Sequence, residues 1–353
     1  MANYRPYLDY VGWAEDDSDS VTGGWGVWQA PTSFLYIDNI VHPTLVQEEL
    51  FNDARRQLET AHVDDHEEGT KREELTISGP VPITCTDNAF LWLLKHAQAK
   101  VVSTPSGAAH THVFTPYNTF PTLGLSVTVG IGGKERTKMS GCRIKSFKLS
   151  GDIAGFMRFE CTFTGIPYGR DQTMDDPSYT LLSSDPKYWT SPGATVTLEF
   201  PTGSALSNFH SWEFTITPGV GEDPVLSGQL GSAIPVQLPR LNMSASGIIK
   251  RRADFADGAG ANQSIFKEYF DAETDCNMMI KYEGATIPGG GAAEKYTLQI
   301  DAHVMIPLNK PVIPTNEGGL YMESAELACR EDDTNEPITL TTISGVATPA
   351  DCP

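Results

Sequence analysis

Between residues 74 and 165 apolar and polar side chains alternate with the two-residue period of a β-strand, interrupted by one stretch with a helical period. Leu75 and Ile77, followed by Val81 and Ile83, fall on one side of an extended segment, which places them on one face of a sheet. Pro80 and Pro82 cannot donate to a ladder, so this strand is expected at an edge or beside a bulge. Residues 87–97 predict a helix: Asp87 or Asn88 can cap its first turn, and Phe90, Leu93, Leu94 and Ala97 form an i, i+3, i+4, i+7 stripe. Leu123, Leu125, Val127 and Val129 then alternate, as do Met157, Phe159, Cys161 and Phe163. Between those runs, Cys142 and Ile144 are out of phase with Phe147 and Leu149, which predicts a bulge near Lys145 and Ser146.

An earlier strand is expected over 34–39, and residues 47–73 read as a long polar loop. A loop of that length in a compact chain is disordered or functional. Residues 166–193, rich in Pro, Asp, Ser and Tyr, read as a linker, after which the pattern starts again. Val196, Leu198 and Phe200 alternate, and so do Trp212, Phe214 and Ile216. A Gly/Pro-rich insert (218–234), a strand near 241–245, a short helix over 264–270 and strands over 278–282, 296–306 and 320–329 follow. In the strand over 296–306, Leu298, Ile300, Ala302, Val304 and Ile306 are expected on one face. Strand, insert, strand, helix and three strands thus occur twice, a repeat of pattern without sequence identity. The chain divides on this reading into 1–165, a linker 166–193, 194–330 and a C-terminal extension 331–353. The fold class is mainly β: two tandem β-sandwich or barrel-forming domains, each with a short flanking α-helix and a long loop or hairpin insert.

With 353 residues, 40% of them hydrophobic, the chain can bury a sizeable core. It contains no run of about 18 apolar residues such as a membrane-spanning helix requires, and its first residues lack the apolar segment of a secretory signal. Six cysteines without CxxC spacing read as free thiols in a reducing compartment. A net charge of −20, with 45 acidic against 25 basic side chains, argues against general affinity for nucleic acid, whose binders need Lys and Arg to neutralise phosphates.

No catalytic constellation emerges, no enzyme activity is expected, and no cofactor is implied. His62 and His66 lie four apart beside carboxylates, but in a polar segment without HExxH order. His110 and His112 share a strand face without a third ligand. Residues 130–135 match neither a P-loop nor a dinucleotide fingerprint and read as a tight turn. One cluster stands out: Lys134, Arg136, Lys138, Arg143, Lys145 and Lys148 fall within fifteen residues, relieved only by Glu135. It can dock the acidic segment of a neighbouring copy, carrying Glu59, Asp64, Asp65, Glu67 and Glu68, or be a solvated cationic strand face.

Four ordered segments resemble the tail tube proteins of long, non-contractile-tailed bacteriophages. Residues 24–35 (GWGVWQAPTSFL) resemble the family's opening turn into its first strand. Residues 75–79 followed by 90–97 resemble its strand-to-helix step, and 112–116 leading to 121–123 its next connection. Residues 141–150 and 159–165 are similar to its closing strand pair. The resemblance covers most of residues 24–165 and implies tail-tube-like domains whose inner strands join neighbours around a channel. A chain with two such domains would close a ring from three copies of itself with pseudo-six-fold shape, stacked into a tube. The insert at 47–73, and that at 218–234, would serve as arms to the next ring. The family further implies contacts with a tape measure protein and tail-end proteins, a place in the virion tail after assembly in the host cytoplasm, and an acidic channel through which DNA passes unbound. A different class of function is a receptor- or carbohydrate-binding sandwich at the virion tip, with Trp25, Trp28, Trp189 and Trp212 as stacking platforms. A β-rich hydrolase is a third class, for which no constellation speaks.

Overall fold

The two-residue alternation becomes a mainly β protein in the computed structural model, which describes residues 10–15, 29, 33–51, 66–83, 89–116, 125–131, 135–171, 188–190, 194–199, 205–206, 209–223, 234–237, 244–252, 275–290, 294–307, 315–317, 320–331 and 336–347. The first half carries β1 (Tyr10–Glu15), β2 (Ser33–Tyr36), β3 (Asn39–Phe51), β4 (His66–Pro80), α1 (Ala89–Gln98), β5 (Ala99–Ser106), β6 (Ala109–Pro116), β7 (Leu125–Ile131), β8 (Glu135–Asp152) and β9 (Arg158–Asp171). The second begins with β10 (Ala194–Glu199), β11 (Ala205–Leu206), β12 (Phe209–Thr217), β13 (Val220–Asp223), β14 (Ile234–Gln237) and β15 (Ser244–Arg252). It continues with β16 (Cys276–Thr286), β17 (Lys295–Pro307), β18 (Thr315–Glu317), β19 (Leu320–Cys329) and β20 (Ile338–Ser344). All of the pairings are antiparallel, and all strands but the β13–β14 hairpin belong to one connected sheet.

The core forms where the expected apolar faces meet. Leu75, Ile77, Phe147, Leu149, Phe159, Cys161, Phe163, Phe214, Ile216, Ile249 and Leu327 are almost wholly buried in one cluster that runs through both halves. Helix α1 seats Phe90 against Phe147 and Phe159, with ring centroids 6.2 and 5.8 Å apart. More than the expected stripe is covered: Leu91, Trp92, His96 and Gln98 are buried too, the mark of an interior helix rather than a flanking one. Burial holds the His96 ring well below its ordinary pKa, with the charges of Arg143 and Lys95 acting in the same direction.

Several expectations need correction. Of the edge or bulge expected for β4, the edge is excluded, because β3 and β9 flank it. Its ladder to β3 carries register shifts between Val41 and Thr44 and between Gln47 and Glu49, away from Pro80, the last residue of β4. Residues 47–51 and 66–73 are strand rather than loop, paired from Gln47↔Lys71 to Phe51↔His66. The segment read as a linker begins as β9, which runs to Asp171. It returns at Trp189, which is 5% exposed and tied by backbone hydrogen bonds to Val81 and Met157. In β17 the expected face breaks after Ala302: a register shift turns Met305 inward, and Ile306 stays half-buried. The C-terminal extension supplies β20, which pairs with β17 on one side and β6 on the other. The helix expected over 264–270 lies outside the described residues.

Candidate functional surface

The feature that organises the molecule is the path of β8. Its first part pairs with β7, from Ile131↔Glu135 to Leu125↔Cys142. Register shifts then fall between Ser140 and Arg143 and between Ile144 and Ser146 on its β9 side, where the sequence predicts a bulge. Beyond the bulge the same edge of β8 takes a new partner, β12 of the second half, from Phe147↔Ile216 to Asp152↔Ser211. A bulge bends a strand and increases its twist, and here it separates two partners on one edge.

That joint fuses two equivalent sheets. In the first half the order is β3–β4–β9–β8; in the second it is β12–β15–β19–β18. The β8–β12 pairing makes them a run of eight antiparallel strands ending at β3 and β18, with β17 beside β18 on the rest of the same β19 edge. Among the described residues each of those end strands has one neighbour. The joint is packed around an aromatic cluster. Gly151 lies opposite Trp212, and a Cβ on it would come within 2.5 Å of the Trp212 Nε1 and the Tyr282 hydroxyl. Only glycine leaves that space. Trp212 Nε1–H donates to the Tyr282 hydroxyl at 3.2 Å, and Trp189 meets the same Tyr282 ring edge to face at 5.9 Å. Trp189 and Trp212 are 5% and 4% exposed, so neither offers a face to a sugar; Trp25 and Trp28 lie outside the described residues.

Where its side chains are described, the outward face of the eight-strand run is mostly polar, Ile248 on β15 being 41% exposed, and is cross-linked by its own side chains. Thr76 and Thr162 share a hydroxyl hydrogen bond of 2.9 Å. Lys145 Nζ reaches across β9 to Glu74 on β4 at 2.7 Å. Lys148 Nζ meets Glu213 at 2.7 Å across the β8–β12 joint. Arg158 Nη1 reaches past the end of β4 to Asp38, just before β3, at 2.8 Å. In its described part this surface is therefore laced with opposite charges rather than uniformly acidic.

The basic cluster of the sequence is thus split. Lys145 and Lys148 are on this face and hold carboxylates of their own chain, Arg143 is buried, Lys138 is half-buried, and Arg136 stands in β8 opposite Asp171 and Gly130. Lys134, Glu59, Asp64 and Asp65 lie outside the described residues, while Glu67 and Glu68 belong to β4 opposite Leu50 and Glu49. His112 is buried, with Nδ1 2.8 Å from the Ser103 hydroxyl and Nε2 3.0 Å from the Val346 carbonyl, so it ties β5 and β6 to the chain just after β20. Burial lowers its pKa, the Val346 hydrogen bond opposes this, and His110 adds to it. Among the described residues no cluster of His, Cys, Asp or Glu is placed to hold a metal ion, and Cys142, Cys161, Cys276 and Cys329 are free thiols. No described helix is long and apolar enough to cross a membrane.

The arm at 47–73 completes the surface. β4 pairs with β9 only over residues 73–80, whereas its ladder to β3 continues out to Phe51↔His66. Among the described residues, the outer part of this hairpin is a two-stranded ribbon with no third strand.

No protein-family model matches the chain, and no curated protein matches it. Among solved structures it is similar to a chain of the anti-feeding prophage baseplate, a six-fold symmetrised cryo-electron microscopy structure. That similarity has 12% identity, covers 44% of this chain and 94% of the other, and gives a TM-score of 0.27. A likeness at that level carries no argument about fold or function.

Proposed function

We propose that this protein is a structural, non-enzymatic subunit of a bacteriophage tail, and specifically a tube protein that closes into rings and stacks. The observation that carries the reading is the β8–β12 joint: two equivalent four-strand sheets already meet edge to edge inside one chain, and the same two kinds of edge recur at its ends. An unpaired sheet edge is a template for another chain and an aggregation liability. Pairing β18 of one copy with β3 of the next repeats the internal joint and continues the sheet. Three copies, six equivalent units, would close it around a channel lined by the polar face. The tail-tube resemblance of residues 24–165 supports the same reading, and it extends the proposal to tape measure and tail-end partners within the virion. The acidic arm would meet the basic residues at the start of β8, Arg136 and Lys138, of the adjacent ring, since Arg143 is buried and Lys145 and Lys148 hold carboxylates of their own chain.

The internal joint supplies a register for the external one. Glu213 faces Ser150 on one side and Ile248 on the other. Thr44, beside Glu74, holds the place of Glu213, and Glu317, beside Leu320 at the turn, holds the place of Ser150 beside Arg158. Glu317 therefore faces Thr44 of the next copy, and Thr315 faces Val46. Directly opposed antiparallel residues lie about 4.5–5.5 Å apart at Cα, within disulfide reach. Oxidised rings of Thr44→Cys/Glu317→Cys or Val46→Cys/Thr315→Cys should run as covalent trimers and smaller intermediates on a denaturing gel. Rings that form but never cross-link at either pair would refute this joint.

A further inference from the structure

We infer that Asp38, Glu74 and Glu213 act as charge masks that keep a double-stranded polyphosphate from being held on the joined sheet. This rests on the reading of that face as the wall past which DNA travels. The problem it solves is visible on the face itself. A chain of net charge −20 nevertheless places Lys145, Lys148 and Arg158 on the side of β8 and β9 that carries the polar face, with side chains 49%, 31% and 45% exposed. Cations so exposed on one sheet are what a phosphate backbone binds, by exchanging its condensed counterions for them.

Each of the three is instead occupied by a carboxylate from another strand or its approach, and Glu74 also lies 3.6 Å from Arg72 Nε on its own strand. The bulge at Lys145 matters here. It turns Lys145 outward one residue after buried Ile144 and one before half-buried Ser146, so that the ammonium passes over β9 to Glu74. On β9 the residues opposite Glu74 and Thr76 are Thr164 and Thr162, which are short. Lys148 is masked across the joint by Glu213, which comes from the other half of the chain. The masks therefore span β3 to β12, and each depends on the sheet being assembled.

Neutralising the masks without touching the cations tests this directly. In the full-length protein, Asp38→Asn/Glu74→Gln/Glu213→Gln removes three carboxylates; exposed ion pairs of this kind contribute little to stability, so the fold should survive. A control of equal charge, Asp275→Asn/Glu283→Gln/Glu336→Gln, removes three carboxylates outside the eight strands. The probe is a fluorescently labelled duplex DNA followed by anisotropy. The unsubstituted protein and the control should show no binding. The mask-free variant should bind, and with three phosphate contacts per chain its affinity should fall about 40-fold between 50 and 200 mM salt. Adding Arg72→Met/Lys145→Met/Lys148→Met/Arg158→Met to it, which also removes the second cation beside Glu74, should abolish the gain. Equal binding by the mask-free variant and the control, or none by either, overturns the inference. Electron microscopy of the same samples separates the two claims. Rings without a gain in DNA binding refute the masks alone. Absence of rings in the unsubstituted protein refutes the tube reading, while the DNA comparison still decides the masks.

Discussion

Replacing Trp212 with alanine should cost about 3–5 kcal/mol, the range for removing a buried Trp or Phe from a packed core. The position is worse placed than most to absorb the loss. Its indole fills the space left by Gly151 on the neighbouring strand, donates its only N–H to Tyr282, and sits in the part of β12 that carries the joint between the halves. Once the indole is gone, the Tyr282 hydroxyl loses its buried donor and the ring loses an edge-to-face neighbour at 6.1 Å. Collapse around the cavity is limited because residues 147–150 of β8 are held on their other side by β9. Urea unfolding followed by Trp and Tyr fluorescence should show the lowered midpoint. A loss below about 1 kcal/mol would be outside the range for a buried Trp and would mean that the joint is not packed as described. The same variant should weaken assembly, because a loosened β8–β12 joint misaligns the two end strands that copies share.

The second large effect concerns the arm. Val46 and Arg72 are directly paired, so residues 47–71 can be cut out and the ladder closed with an Asn-Gly turn of the type that suits a two-residue hairpin. Everything inward of that pair, including the β4–β9 ladder and the core around Leu75 and Ile77, stays in place. The shortened protein should fold with an unchanged unfolding midpoint and still form rings, but it should no longer form tubes. The physical reason is that an isolated two-stranded ribbon is marginally stable in water at best. An arm of this kind gains its order from a surface outside its own chain. Sedimentation and negative-stain images of the two proteins at matched salt check the outcome, and tubes of normal length from the shortened protein would remove the arm from the account.

How much of this was legible in the sequence follows from which residues have a buried side. β4, β7, β9 and β12 announce themselves through Leu75, Val127, Phe159 and Phe214, because one face of each meets the core and the alternation records it. The slip at Lys145 was legible as a bulge, but its meaning, a change of partner from β7 to β12, depends on a strand about sixty residues further on. The outer arm reads as loop because a ribbon without a sheet on either side carries no alternation. Trp189 reads as part of a linker because the surrounding composition is Pro- and Asp-rich; its burial depends on Val81 and Met157, both far away in sequence. For the polar face the limit is the same. Lys145 and Lys148 stood out as a basic run, whereas the carboxylate that engages Lys145 is 71 residues away, and no local pattern ties the two together. The expectation of an acidic wall is an implication of the tail-tube resemblance, and neither that resemblance nor the net charge reports how charges pair across strands.

The central claim is that the ends of the eight-strand run, β3 and β18, join between copies as β8 and β12 join within one. Cryo-electron microscopy of the purified, full-length protein tests it most directly. The account predicts rings of three chains with pseudo-six-fold outline and a continuous wall of strands, in which β18 of each chain runs antiparallel to β3 of the next. Dispersed single chains at assembly concentrations, or rings whose contacts leave both of those strands unpaired, would contradict it.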